Sequence, residues 1–164
     1  MQDPGGKAPW RTLDATLAFH SQLLRGAHAM WEERRIALGR LPHRGDFSAR
    51  EFMRFAGNIS LIDVEREPLR FRFRLIGSTV TDRLSRDHTG QYVDTAYQPT
   101  YYEAAIAGYL YCLSDKLSIR SFGYMAPAGK DFLAFESVDL PLSADGAQVS
   151  MIVKCSDFPT DQTW

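Results

Sequence analysis

The chain has 164 residues, of which 45% are hydrophobic and 24% charged, a composition typical of one folded globular domain and not of a disordered segment. Its 19 Lys and Arg residues nearly balance its 20 Asp and Glu residues, so it lacks the basic excess that nucleic-acid-binding domains usually carry. Cys112 and Cys155 form neither a metal-ligand spacing nor a disulfide framework, so we expect no metal site and a reducing, cytoplasmic location. The sequence has no apolar run that approaches a membrane span, so we expect no membrane insertion.

The N-terminal part of the chain predicts a loose segment followed by a long helix. Residues 1–11 contain Pro and Gly and are interpreted as a flexible lead. The proline-free stretch at 12–40 predicts an amphipathic helix with Thr12 as its N-cap and Gly39 as its end. Its apolar face is formed by Leu13, Leu17, Leu24, Ala27 and Trp31. The main predicted domain spans 41–158, and 159–164 form a tail.

From Ile59 onward the hydrophobic period changes from that of a helix to that of a strand. Two strand-like segments flank Pro68 and predict an antiparallel hairpin. Helical patterns at 78–85 and 101–115 follow, and then three strands separated by the turn-forming segments PAGKD and ADGA. Short links favour antiparallel pairing, so the predicted fold class is α+β. We expect a five-stranded antiparallel sheet with helices on one face and a long N-terminal helix.

The stretch RFRFRLIG at 70–77 alternates arginine with apolar residues. Strand alternation places Phe71, Phe73 and Leu75 on one face and the three arginines on the other, as in a sheet with one solvent-exposed face. A nucleic-acid surface would need further positive charge and aromatic platforms beside the cations. The later strand FLAFESVDLPL is apolar on both sides, which indicates that its second face is covered. The N-terminal helix is the expected cover.

The order of these elements and a series of short motifs resemble the PAS domains. More specifically, the sequence looks like a bacterial single-domain PAS family once classified as a domain of unknown function. The motifs that carry this resemblance are Trp31 near the end of the first helix, PHRGD at 42–46, LIDV at 61–64, RFRLIGS at 72–78, DHTG at 87–90 and LPLSADG at 140–146. The matching region covers about 31–153, which is most of the chain.

This resemblance implies a sensory or interaction module without catalytic activity. Such a module binds a small ligand between the sheet and the long central helix, or binds a signalling protein, and regulates in trans. PAS domains also dimerise through N-terminal helices packed on the sheet, so we expect a homodimer built on 12–38. The family does not fix a cofactor, which stays unknown. Cys112 does not lie in a flavin-photoreceptor motif, and the 101–115 helix has no His that could bind haem.

The candidate ligand site lies between the 101–115 helix and the facing side of the sheet. Helical steps of three and four residues and strand alternation select its members. The predicted ligand-binding residues are Phe73, Leu75, Tyr102, Ile106, Tyr109, Leu113, Met151 and Val153. Gly108 is small and could let a ligand approach the helix. We expect a mostly apolar cavity with tyrosine hydroxyls at its edge, and a fully packed core is the alternative.

A second class of function stays open at this point. Small α+β enzymes of the cone-shaped isomerase or dehydratase type also combine helices with a curved sheet. Such an enzyme needs a buried Asp or His that acts as a base in its pocket. A position of Asp139 deep in a pocket opposite Tyr109 would favour the enzyme, and a surface position would argue against it.

Overall fold

A computed structural model describes residues 9–164, and over this range the chain forms six β-strands and five α-helices. The strands are β1 (Arg11–Asp14), β2 (Ile59–Glu65), β3 (Arg70–Ile76), β4 (Ile119–Met125), β5 (Lys130–Leu142) and β6 (Met151–Asp157). The helices are α1 (Gln22–Leu38), α2 (Ala49–Met53), α3 (Ser78–Leu84), α4 (Val93–Ala96) and α5 (Pro99–Asp115). None of the helices within residues 9–164 is both long and apolar enough to cross a bilayer.

All strands belong to one antiparallel sheet with the order β1-β4-β5-β6-β2-β3. The α+β class and the antiparallel sheet are therefore confirmed, but the predicted count of five strands is wrong for residues 9–164. The additional strand is β1, which pairs with the edge of β4 from Arg11↔Gly123 to Asp14↔Arg120. A Cβ at position 123 would overlap the carbonyl oxygen of Trp10, so glycine permits this close approach.

The segment predicted as the start of the first helix is a strand and a turn. Helix α1 begins at Gln22, where the Ser21 hydroxyl accepts from Leu24 N as the N-cap. Upstream, the Asp14 carboxylate accepts from the backbone N–H groups of Thr16 and Ala18, and Leu17 has a positive φ of 57° that a helix does not allow. Of the predicted flexible lead, residues 1–8 lie outside the described residues, and Arg11 already belongs to β1.

Helices cover both faces of the sheet, and α1 lies on the second face, where the N-terminal helix was expected. We call the side that carries Asp139 and Lys154 the α5 face and the side that carries Glu136 and Val153 the α1 face. Helix α1 buries Leu24, Ala27 and Trp31 against the α1 face. The Trp31 indole N–H donates to the carbonyl of Pro141 at 2.8 Å. Because α1 covers its own sheet, the homodimer through 12–38 stays a prediction.

Strand β3 contains an irregularity that reverses the orientation of Leu75. Ile62 pairs with Phe73 whereas Leu61 pairs with Leu75, so Arg74 is an extra residue in the ladder. Phe73 is 7% exposed on the α5 face, but Leu75 is 45% exposed on the other face. The prediction that Phe71, Phe73 and Leu75 share one face is therefore wrong for Leu75. One inserted residue is enough because side chains alternate with a period of two.

A buried polar cluster fixes the start of α1 on the sheet. The Glu136 carboxylate is fully buried and accepts from the backbone N–H groups of His20 and Ser21, both at 2.9 Å. The Arg120 side chain donates to Glu136 through Nε at 2.6 Å and to Asp14 through Nη1 at 2.9 Å. Burial raises the pKa of Asp14, but hydrogen bonds from Thr16, Ala18 and Arg120 outweigh it and lower this pKa to about 2.

We predict that Phe73→Ala lowers the free energy of unfolding by about 3–5 kcal/mol, because it removes a core aromatic ring. Leu75→Ala and Arg72→Ala should each cost less than about 1 kcal/mol, because Leu75 is 45% exposed and the Arg72 side chain, which is 41% exposed, makes its ion pairs near the surface. Urea melts of the three variants give these values. A loss at Leu75 as large as that at Phe73 would show that β3 lacks the extra residue at Arg74.

We predict that Asp14→Asn destabilises the fold by on the order of 1–3 kcal/mol near neutral pH, because it removes a charged hydrogen-bond acceptor. The folded-state pKa lies below the ordinary value of 3.8, so the carboxylate contributes its stability above that value and loses it as pH falls toward about 2. The stability difference between wild type and variant should therefore shrink between about pH 5 and about pH 2.5 in urea melts. An equal difference at both pH values would contradict this role of Asp14.

Candidate functional site

A cavity lies on the α5 face, between the sheet and the helices α3 and α5. The volume that the centres of water-sized molecules can occupy in this cavity is about 50 Å³. One bound water requires roughly 10–15 Å³ by the same measure, so the cavity can hold a molecule larger than water. Part of its wall is apolar and is formed by Phe73, Ile76, Val80, Leu84, Met125 and Phe135. Arg86 and His88 lie where the cavity meets a surface groove bordered by Pro127 and Ala128.

One part of the cavity wall, which we call the polar end, carries polar side chains. It contains Arg11, Lys154, Tyr97 and Tyr109, together with the hydroxyl-bearing residues Ser60 and Ser156. Four separate parts of the chain thus converge here, namely β1, β2, β6 and the region around α5. A cavity with an apolar body and a few convergent polar groups is the usual form of a small-molecule site.

Lys154 is held at this polar end by a buried ion pair. Its ammonium group donates to Asp139 Oδ1 at 2.7 Å and lies 5.1 Å from the centre of the Tyr109 ring. Burial lowers the pKa of Lys154, the nearby charge of Arg11 lowers it further, and Asp139 partly opposes both, which gives a pKa of about 8. The side chain therefore carries its charge at neutral pH but gives up a proton far more readily than an exposed lysine.

Arg11 brings a second cation to the same end. It is 8% exposed, and its guanidinium lies 4.8 Å from the centre of the Trp10 ring and 5.1 Å from that of Phe135. Within residues 9–164, its Nε and Nη1 atoms are buried without a hydrogen-bond partner. Buried donors without partners are uncommon in folded proteins, and these two N–H groups, which lie on different edges of the guanidinium, are available to an acceptor in the cavity.

The two tyrosines of the polar end stay protonated at neutral pH. Burial raises the pKa of Tyr97, and burial together with the charge of Asp139 raises the pKa of Tyr109 well above its ordinary value. The Tyr109 ring packs against Phe71 with their centres 5.2 Å apart. Both phenols therefore keep a proton that a hydrogen-bond acceptor can share.

Asp139 is fully buried beside this cluster and lies close to Tyr109, as the enzyme hypothesis requires. Its carboxylate, however, is bound by Lys154 on one side and lies against the backbone of α5 on the other. A Cβ at Gly108 would overlap Asp139 Oδ2. It is Lys154, and not Asp139, that forms part of the cavity wall. Gly108 thus accommodates Asp139, whereas the sequence suggested that it accommodates a ligand.

Of the predicted site residues, Phe73 and Tyr109 line the cavity. Three others, Tyr102, Ile106 and Leu113, lie half-buried at the margins of α5. The buried stripe of this helix is formed by Ala105, Gly108, Tyr109 and Cys112. The predicted face was therefore rotated by about one residue relative to the face that α5 buries.

The other three predicted residues lie on the wrong side of the sheet. Met151 and Val153 pair with Asp63 and Leu61 on the α1 face, and Leu75 is on that face as well. Both faces of β6 are buried, and the fully apolar set Met151, Val153 and Cys155 lies on the α1 face, whereas the α5 face carries Ile152, Lys154 and Ser156. Lys154 was the missed signal, because a single charged residue inside the apolar segment MIVKC requires a buried partner.

The geometry carries the functional argument for this chain. Comparison of the sequence with models of known protein families gives no match, and comparison with curated proteins gives none either. Within residues 9–164, no group of three or more His, Cys, Asp or Glu side chains is arranged to hold a metal ion. The polar end of the cavity is therefore the best-supported site in the part of the chain that the structure describes.

We predict that Gly108→Ala destabilises the fold by about 1–3 kcal/mol, because the added methyl group overpacks against Asp139. This loss should appear although alanine has a higher helix propensity than glycine. Gly26→Ala in α1 is the matched control, because its Cβ would meet Phe55 at an ordinary 3.6 Å. That variant should gain up to about 1 kcal/mol from helix propensity. Thermal and urea melts measure both changes. A gain of stability at both positions would contradict the close contact between Asp139 and α5.

Proposed function

We propose that this protein is a PAS-like sensory module that binds a small, partly hydrophobic molecule and thereby regulates a signalling partner. The observation that carries the proposal is the cavity between the sheet and α5, with an apolar body and a buried polar end. A site of this kind can select a ligand by shape at one end and by hydrogen bonding at the other.

The arrangement of elements supports the proposal. A hairpin, several helices, the long helix α5 and three further strands follow one another in the order that the PAS resemblance implies. The cavity also lies at the place where such domains hold their ligands, between the sheet and the long helix. Helix α1 covers the other face of the sheet, so contacts of α1 are a route by which a partner could respond.

We further propose that the bound molecule is released chemically unchanged. A general base must reach the proton that it removes, at hydrogen-bond distance. Asp139 is instead neutralised by Lys154 and lies against α5. Burial raises the pKa of the Cys112 thiol well above its ordinary value, so Cys112 is a poor nucleophile.

One observation favours an acid–base enzyme of the isomerase or dehydratase type as a second candidate. Lys154 borders the cavity with a pKa of about 8, which is close enough to neutral for proton transfer. In such an enzyme Lys154 would exchange a proton with the substrate, and Tyr109 would donate a hydrogen bond to it. This candidate predicts a change in the molecule that binds.

We predict that a screen of small metabolites by thermal shift finds compounds that raise the melting temperature. A ligand at a hundredfold excess over its dissociation constant stabilises the folded state by about 2.7 kcal/mol. Val80→Phe should abolish the rise, because the larger side chain fills the apolar end of the cavity. Leu110→Phe is the matched control on the exposed side of α5 and should retain the rise.

Two results would contradict the proposal. If no compound stabilises the wild type, or if the rise survives Val80→Phe, the cavity is not a ligand site. Mass spectrometry of the compound after incubation separates the two candidate functions. An unchanged compound supports a sensor, whereas an isomerised or dehydrated product supports the enzyme.

A further inference from the structure

We infer that the ligand of this cavity is a small monocarboxylate with a short apolar body, and that its carboxylate binds between Arg11 and Lys154. The inference rests on the proposed ligand-binding function and names the chemical class of the ligand. It follows from the charge, the donor groups and the shape of the site.

The polar end of the cavity contains one more positive charge than negative. Arg11 and Lys154 are both buried beside it, and Asp139 supplies the carboxylate that pairs with Lys154. Within residues 9–164, Arg11 takes part in no ion pair of 4 Å or less and leaves two buried N–H groups without acceptors. A buried charge without a partner is costly, so an anion that enters the cavity is strongly favoured.

The hydrogen-bonding groups at this end are mainly donors. The unpartnered Nε and Nη1 groups of Arg11 lie on different edges of the guanidinium, and either can donate a charge-assisted hydrogen bond to a carboxylate oxygen. Lys154 has three N–H groups, of which Asp139 takes one. The phenols of Tyr97 and Tyr109 can add further donors. A carboxylate only accepts, whereas an amine only donates and an amide presents both kinds of group.

The number of uncompensated charges favours a monoanion. One cation, Arg11, lacks a counter-charge, and a second negative charge would leave the site with an excess of anions. The carboxylate would also stabilise the charged form of Lys154, against the burial that lowers the pKa of this residue to about 8. Lys154 therefore keeps its bond to Asp139 while the ligand is bound.

The rest of the wall selects the body of the ligand. Phe73, Val80 and Phe135 present apolar surface, and the free space is small. A short aliphatic chain or a single ring can fill this part, whereas inorganic phosphate offers nothing to bury there. Carboxylate and body together define a small amphipathic acid.

Butyrate, hexanoate and benzoate are suitable test ligands, each compared with its amide and with the corresponding amine. Calorimetric titration of the wild-type chain should show at least one acid bound roughly tenfold or more tightly than its amide, as expected for charge-assisted hydrogen bonds from Arg11 and Lys154. The amine should bind more weakly still. Equal binding of acid, amide and amine would overturn the inference and leave the proposed ligand-binding function intact.

Arg11→Met then tests the residue itself. This variant should lose the preference for the acid over the amide, because methionine keeps an apolar side chain of similar length and lacks the guanidinium. Arg66→Met, in the exposed turn between β2 and β3, should retain the preference. A preference for the acid that persists in Arg11→Met would overturn the assignment to Arg11.

A second measurement applies even if Arg11→Met does not fold. The side-chain Nε–H resonance of Arg11, assigned by its loss in Arg11→Lys, should shift when the acid binds and not when the amide is added. An unchanged resonance at a saturating acid concentration would overturn the inference. By contrast, the absence of binding by any acid, amide, amine or screened metabolite would refute the proposed function itself.

Discussion

Strand β5 carries two fully buried carboxylates on opposite faces, and the packing of both helical layers depends on how they are neutralised. Glu136 is paired with Arg120 of β4, and Asp139 is paired with Lys154 of β6. Removal of one partner from such a pair typically costs about 3–5 kcal/mol, because a charge remains in a medium of low dielectric constant. The central strand therefore fixes the register of its two neighbours electrostatically as well as through the backbone ladder.

Each carboxylate also positions a helix. Glu136 accepts from two backbone N–H groups just before α1, so the start of this helix has one place on the sheet. Asp139 lies against α5 where Gly108 leaves room for it. Strand β1 connects the two faces, because Asp14 joins the Glu136 cluster whereas Arg11 reaches the cavity. A four-residue edge strand thus completes a structural cluster on one face and a binding site on the other.

The sequence predicted the type of most elements because their hydrophobic periods are clear. The hairpin of β2 and β3, the helix α5 and the last three strands were placed within a few residues of their observed ends. Strand β1 was missed because its four residues show no alternation of apolar and polar side chains that would identify a strand. It forms because the edge of β4 offers backbone partners, which is a tertiary effect that no local pattern contains.

The candidate site was predicted less well than the fold. Alternation along a strand shows that side chains point to opposite faces, but it does not show which set borders the cavity when helices cover both faces of the sheet. On β6 the apolar set Met151 and Val153 was selected, but it lies on the α1 face, and the set that borders the cavity contains Lys154 and Ser156. On β3 the extra residue Arg74 could not be inferred from an unbroken alternation of arginine and apolar residues. Arg11 lay in a segment without a helical or strand-like hydrophobic pattern. Its role in the candidate site follows only from its position in the cavity wall, which depends on the tertiary structure.

The contact between α5 and β5 also constrains how this sequence can change over time. Any side chain at position 108 would collide with Asp139, so replacement of that glycine destabilises the fold as long as the carboxylate is present. Loss of the carboxylate leaves Lys154 buried without its partner, so the lysine must change as well. Single substitutions at these three positions are therefore penalised even where a joint replacement would be tolerated. Relatives of this protein should accordingly carry Gly, Asp and Lys at these positions as a set, or lack all three.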